Sequence, residues 1–206
     1  MAYYKTKNRL ILTNLKVMSS SLNNTEGVNR INRLNILKNI LVLKMNLTKK
    51  KPPILLVRNP YNRVVSVYFD KFKTNKWFKR NRLEQIQNLF LKEIDPVKNW
   101  DTNSILAEFE SLTFDKYLEL LLKLYDKDAH TRPQIKLLER FLLNPNHFQI
   151  VKIEEKDVLD GVFQQLNINV PKVNVTKKEN FTLTEDQKDI IYKIYTKDFL
   201  TFKYPK

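Results

Sequence analysis

Apolar residues in this chain follow two rhythms. Short runs stand at residues 10–12 and 54–57, and an alternating stretch stands at 148–153. Longer segments instead repeat apolar positions every three or four residues. A short apolar run bounded by polar residues marks a buried strand, whereas the wider spacing marks a helix with one face on a core. Strands are therefore expected over 9–15, 54–57 and 148–153. Helices are expected from Tyr61 to about Phe78, and from a Thr113 cap with Leu118, Leu121, Leu122 and Tyr125 on the apolar face. Further helices are expected from Pro133 to Leu143, over 157–166, and from Thr184 to Phe199. Pro133 suits a first helical turn, and Thr184 with Gln187 makes a capping box. Residues 28–45 carry a mixed pattern, helical early and strand-like late. Residues 49–53 read as a basic connector and 167–182 as a polar loop. Strands alternating with helices, without repeats, predict an α/β fold of three layers with a mostly parallel central sheet flanked by helices.

Composition narrows the class. A chain of 206 residues, 42% of them hydrophobic, is expected to form a single domain over 1–206. No apolar run is long enough to span a bilayer, and no apolar segment follows the basic residues near Met1. The expectation is a soluble protein without signal peptide or membrane anchor. There is no cysteine, which excludes disulfides and thiolate metal sites and fits a reducing, cytoplasmic setting. Lys and Arg number 37 against 22 Asp and Glu, a net charge of +15. Such a chain attracts anions: nucleic acid, acidic glycan, anionic lipid or a charged nucleotide. A Lys-, Asn- and Ile-rich profile with two glycines also follows from A/T-rich coding, so charge alone selects no ligand. The densest run is Lys49-Lys50-Lys51, too short for a nucleic-acid tail.

Two strand ends carry anion-binding chemistry. At 16–21, KVMSSS follows the first strand, with Lys16, Val17, Met18, Ser19, Ser20 and Ser21 leading into a helix with serine as its cap. Backbone N–H groups, hydroxyls and a lysine charge then converge on one place. The motif G-x-x-x-x-G-K-[ST] is absent, so this is no Walker loop. At 58–72, Arg58 stands at the end of the second strand, with Pro60, Arg63, Ser66, Lys71 and Phe72 following in the helix. A guanidinium at such a junction forks onto phosphate oxygens. Arg63 reads either as an anion or acceptor contact or as a solvated helix charge. Asp70 and Lys71 read as a helix-face ion pair or a cap, His147 as an exposed loop histidine, and Tyr192, Tyr195, Phe199 and Phe202 as core packing.

The downstream stretch resembles the 3′-phosphate motif R-D-P-x-x-R-x-x-S-x-x-x-x-K-F of carbohydrate sulfotransferases, with Asn59 in place of the aspartate. The upstream one resembles their 5′-phosphosulfate loop, P-K-V-x-[SC]-[ST]-[ST], with Leu15 for proline and Met18 for a small residue. His130-Thr131-Arg132-Pro133-Gln134 is similar to the H-x-x-P-Q of Golgi enzymes acting on chondroitin, dermatan and related glycans. Residues 148–154 resemble their Y-D-F-V-G-K-F-E strand, and 191–204 their closing Y-x-x-D-F-x-x-F-x-Y. The likeness spans Lys16 to Tyr204 in the family's order. Without Golgi anchor, stem or cysteines, it implies a minimal soluble bacterial or viral relative.

The resemblance implies a P-loop-like fold that moves a sulfonate from 3′-phosphoadenosine 5′-phosphosulfate (PAPS) to an acceptor hydroxyl, with adenosine 3′,5′-bisphosphate as product and a carbohydrate as acceptor. Lys16 would meet the leaving oxygen, and residues 17–21 the 5′-phosphate and sulfonate. Arg58 and Ser66 would hold the 3′-phosphate, while Arg63, Arg132 and Gln134 would contact substrate. His130 would be the base, with Glu154 as runner-up; His130 reads equally as a structural hydrogen-bonder that positions the Arg132 loop. Residues 73–103, with Trp77, Phe78, Lys79, Arg80 and Arg82, read as a lid or acceptor-facing insertion. No metal and no nucleic-acid partner are expected. Two other classes stay open: a basic binding protein for nucleic acid or acidic glycan, and a P-loop-like nucleotide kinase.

Overall fold

A computed structural model describes residues 2–7, 9–31, 51–74, 83–171 and 181–206. In chain order the elements are β1 (Ala2–Lys5), β2 (Leu10–Thr13), α1 (Ser19–Asn23), β3 (Asn29–Arg30), β4 (Ile54–Val57), α2 (Pro60–Phe72), α3 (Gln85–Ile94), α4 (Thr102–Ser111), α5 (Phe114–Leu124), α6 (Lys136–Glu139), β5 (Gln149–Lys152), α7 (Lys156–Gln165) and α8 (Glu185–Phe202). The chain forms two compact units. The first comprises Met1–Asn59, Gln134–Val175 and Lys197–Pro205, and the second Pro60–Pro133, Thr176–Thr196 and Lys206.

The first unit is built on one sheet in the order β3-β1-β2-β4-β5. Its centre is parallel: Leu12 of β2 lies opposite Leu55 of β4, which lies opposite Ile150 of β5. Ile54, Leu55, Leu56 and Val57 are all buried, as an apolar run without polar alternation requires of a central strand. Below the sheet, Ile11, Ile54, Leu56 and Val151 pack with Val17 and Leu22 of the α1 region and with Leu159, Val162 and Phe163 of α7. The expected mixed α/β class with a parallel sheet centre is thus observed, while the far edge is antiparallel: β1 pairs with β2 and with β3. Neither β1 nor β3 is expected from the sequence. In β1 only Ala2 and Tyr4 face the core, and two positions are too few for a readable alternation.

The second unit is an aromatic-rich helical body. Phe72 of α2, Phe90 of α3 and Tyr117 of α5 meet with ring centroids 4.7–5.6 Å apart, and Tyr68 sits 5.1 Å from Phe114. Three valines, Val64, Val65 and Val67, are tolerated in α2 because all are buried and packing outweighs their weak helix preference. Thr113 caps α5 by accepting the Lys116 N–H at 3.2 Å. Thr184 and Gln187 form the expected capping box at α8.

Several boundaries differ from expectation. α2 ends at Phe72, and the expected extension over 75–78 lies outside the described residues. The helix expected from Pro133 to Leu143 contracts to α6, and Leu142 takes a left-handed φ of 52° that ends the helical path. Leu122 is 39% exposed and is not part of the α5 core face. Most of the ambiguous stretch 28–45 lies outside the described residues, as do 172–180 of the expected loop and 75–82 of the expected lid. Among the described residues no helix is long and apolar enough to cross a membrane.

Candidate active site

Three parallel strands of the first unit end at the same edge of the sheet, and each exit carries a group singled out in the sequence. Beyond β2 the chain turns sharply. Lys16 and Met18 both take left-handed backbone, with φ of 68° and 55°. For side chains with a Cβ this costs roughly 1–2 kcal/mol each. The turn is held by the Val17 N–H on the Asn14 carbonyl at 3.2 Å and by the Thr13 hydroxyl on the Val17 carbonyl. Val17 is fully buried and anchors the loop in the core. A left-handed residue followed by right-handed ones aims successive N–H groups to one side, which makes a concavity suited to an anion.

The serine cap expected for α1 is corrected by this geometry. Met18 occupies the cap position and makes no side-chain cap bond, so Ser19, Ser20 and Ser21 fall inside the first turn. Ser20 is exposed, Ser19 half-buried and Ser21 buried. Their position keeps two hydroxyls accessible beside the first-turn N–H groups, which no helix satisfies internally. The Met18 side chain packs against the hydrophobic core, which accommodates its bulk.

Beyond β4, the Arg58 Nη1 donates to the Lys16 carbonyl at 3.0 Å. The two basic residues thus belong to one hydrogen-bonded junction. The Arg58 peptide is held on both sides by one side chain: its N–H donates to Gln134 Oε1 at 2.9 Å, and its carbonyl accepts from Gln134 Nε2 at 2.7 Å. Gln134 is 1% exposed. It was expected to contact substrate; its buried carboxamide instead clamps the Arg58 peptide. Gln134 is fixed in turn by Asp198, whose carboxylate accepts the Gln134 N–H at 2.7 Å and the Ile135 N–H at 2.8 Å. Asn14 Nδ2 also donates to the Gln134 carbonyl at 3.2 Å.

Beyond β5, Glu154 Oε1 accepts the Asn59 N–H at 2.8 Å, and Oε2 accepts the Tyr204 hydroxyl at 3.1 Å. Burial pushes the Tyr204 phenol far above its ordinary range, and the Glu154 charge and hydrogen bond add to the rise. Tyr204 is therefore a permanent donor.

Arg63, Ser66, Asp70, Lys71, His130 and Arg132 lie in the second unit. Arg63 is 1% exposed, so it is no solvated helix charge. Its Nη2 donates to the carbonyls of His130 and Arg132, both at 2.9 Å. It was expected among the substrate contacts, and in this arrangement its guanidinium is buried beneath the loop that it pins. Ser66 is buried in α2. His130 Nδ1 lies 2.7 Å from Asp128 Oδ1, which also accepts the His130 N–H at 2.7 Å. A carboxylate only accepts, so the ring proton sits on Nδ1. Burial alone would raise the Asp128 carboxyl, but the ring and amide bonds from His130 hold it below its usual value. Glu84 stands 3.5 Å from His130 Nε2 and 2.6 Å from Lys71 Nζ, which also meets Asp70 at 3.2 Å. Arg132 Nε and Nη2 donate to the Asp126 carbonyl within their own loop.

Asp198 and Asp128 were assigned no role in the sequence. Asp198 had a readable signal: it stands three residues after Tyr195 and four before Phe202, and a carboxylate on an apolar stripe must be buried against donors. Asp128 had only its place two residues before His130.

No curated protein and no solved structure matches the chain. Among protein families, the Sulfotransferase family matches residues 4–205, which takes in all three strand exits and both units. The chain belongs to the sulfotransferase family.

Proposed function

We propose that the protein transfers a sulfonate from PAPS to a hydroxyl of a carbohydrate. The observation that carries this reading is the 3.0 Å bond joining Arg58 to the Lys16 loop, at the ends of two adjacent parallel strands. A donor with phosphate at both ends of its ribose needs two cationic stations. Arg58 is assigned the 3′-phosphate, with Ser66 as the second group that the resemblance implies. The backbone and hydroxyls of 17–21 are assigned the 5′-phosphate and sulfonate.

In the reaction the acceptor oxygen forms a bond to sulfur as the bond from sulfur to the 5′-phosphate oxygen breaks. Negative charge grows on the departing bisphosphate, by analogy with phosphoryl transfer. Lys16 supplies a positive charge to that oxygen, where it stabilises the transition state more than the bound donor. The acceptor proton needs a base. His130 is assigned this role because the Asp128 carboxylate fixes its ring through Nδ1, with Nε2, 3.5 Å from a Glu84 oxygen, as the nitrogen that would face the acceptor.

Titration calorimetry tests the donor assignment. Adenosine 3′,5′-bisphosphate is expected to bind without magnesium and more tightly than adenosine 5′-phosphate. Arg58→Ala should remove that preference, because a lost charge-assisted contact costs about 1.5–3 kcal/mol. A protein that instead required magnesium and preferred ATP would be a kinase. One that bound neither nucleotide would be a basic binding module.

A further inference from the structure

We infer that Gln134 and Asp198 are positioning residues that set Arg58 for anion recognition, through a relay of hydrogen bonds from the final helix to the loop after β2. This rests on the donor reading above for what Arg58 recognises, but not for the relay itself.

The relay runs through one compact unit. Asp198 is fully buried, and each of its carboxylate oxygens accepts one successive backbone N–H, of Gln134 and of Ile135. These bonds fix the backbone at the point where the Gln134 side chain departs. That side chain then presents one acceptor and one donor to the same peptide, the N–H and carbonyl of Arg58. A carboxamide paired in this way copies the two-point pairing of a neighbouring strand. It does so just past Val57, where the pairing of β4 with β5 ends. The Arg58 backbone is thereby held in both position and rotation, and its guanidinium reaches the Lys16 carbonyl.

The chemistry explains why these residue types stand here. Glutamate at 134 would offer no donor to the Arg58 carbonyl. Leucine would offer the Arg58 peptide neither acceptor nor donor, so both bonds from residue 134 would be lost. Asparagine at 198 has one acceptor oxygen, whereas two N–H groups face that side chain. A buried carboxylate is stable at this place because its partners are aligned amides. Gln134 and Asp198 touch no reacting atom in this account; they act through Arg58.

Two measurements test the relay, one of them independent of any ligand. The first is amide hydrogen exchange by NMR on the full chain. Gln134→Ala should speed exchange at the Arg58 N–H by about 10-fold or more, since roughly 1.4 kcal/mol of protection corresponds to 10-fold. The Leu55 and Leu56 amides should keep their protection. The second is the binding preference for adenosine 3′,5′-bisphosphate over adenosine 5′-phosphate. Gln134→Ala should reduce it about as much as Arg58→Ala, and the double variant should lose no more than either alone. Asp198→Asn should move both readouts the same way, to a smaller degree.

An unchanged Arg58 exchange rate in Gln134→Ala overturns the relay. So does equal weakening of both nucleotides, or additive losses in the double variant. If Gln134→Ala fails to fold, Gln134→Glu carries the test, since it keeps an acceptor for the Arg58 N–H and loses the donor to the carbonyl. It should show a reduced preference, and an unchanged one counts against the relay. If the parent protein lacks any preference for the bisphosphate, the donor reading fails, and the exchange measurement alone decides the relay.

Discussion

Glu154 accepts the Asn59 N–H at 2.8 Å, tying the exit of β5 to the turn that follows β4. Its other oxygen takes the Tyr204 hydroxyl, so one carboxylate joins the turn next to Arg58 to the segment after the final helix. Glu154→Gln keeps an oxygen for the Asn59 N–H and loses the charge together with the second acceptor that the Tyr204 hydroxyl uses. It should retain the transfer rate to within about 10-fold, against the 10²–10⁴-fold loss that follows removal of a general base. Steady-state rates decide this, and a loss above about 10²-fold would make Glu154 the base instead.

The Arg63 guanidinium beneath the 130–132 loop leads to a stability prediction. Arg63→Ala removes two buried charge-assisted bonds and leaves two carbonyls without donors, so it should cost about 2–4 kcal/mol. Arg63→Lys should not restore the loss, because an ammonium does not reproduce the planar fork. Denaturant unfolding measures both. A loss under about 0.5 kcal/mol in Arg63→Ala would place Arg63 outside the structural framework.

Alkaline stability has a definite sign. Burial raises the phenols of Tyr4, Tyr68, Tyr117 and Tyr204 above the ordinary value of 10.0. Above that pH these tyrosines ionise in the unfolded chain and stay protonated in the folded one. The folded state then binds more protons, and stability falls as pH rises. Their contribution is complete below pH 10 and declines above it. Urea unfolding between pH 8 and 11 should show this decline, and a stability that rises over that interval would contradict it.

What the sequence disclosed was local. The Ile54–Val57 strand was legible because four apolar residues in a row leave no alternative face. The caps at Thr113 and Thr184 were legible because hydroxyl, spacing and apolar stripe agree within one turn. What stayed hidden depends on partners far along the chain. β1 exists because Tyr3 pairs with Leu12 and Tyr4 with Arg30. The helix cap fell to Met18 and not to a serine, in a turn where Val17 is buried in the core and the residues on either side of it take left-handed backbone. Lys16, Arg58, Gln134 and Glu154 were all legible as candidates from motif spacing. That Gln134 grips the Arg58 peptide was not, since the partners lie 76 residues apart.

His130 is held by Asp128 in the manner of a base aligned by a carboxylate. His130→Gln can hydrogen-bond but takes up no proton at neutral pH. It should lose about 10²–10⁴-fold in rate with donor binding intact. A variant that keeps most of its rate would make the histidine a structural anchor of the loop that Arg63 pins.

The central claim is sulfonate transfer from PAPS at the Lys16 loop. Its most direct test is the release of adenosine 3′,5′-bisphosphate from PAPS, measured against a panel of glycan acceptors in parent protein and Lys16→Ala. Acceptor-dependent release is expected in the parent. Lys16→Ala should cut turnover by about 10²-fold or more while donor affinity changes far less, because leaving-group charge is greatest in the transition state. Turnover in Lys16→Ala equal to that of the parent, with only a raised Michaelis constant, would contradict the account.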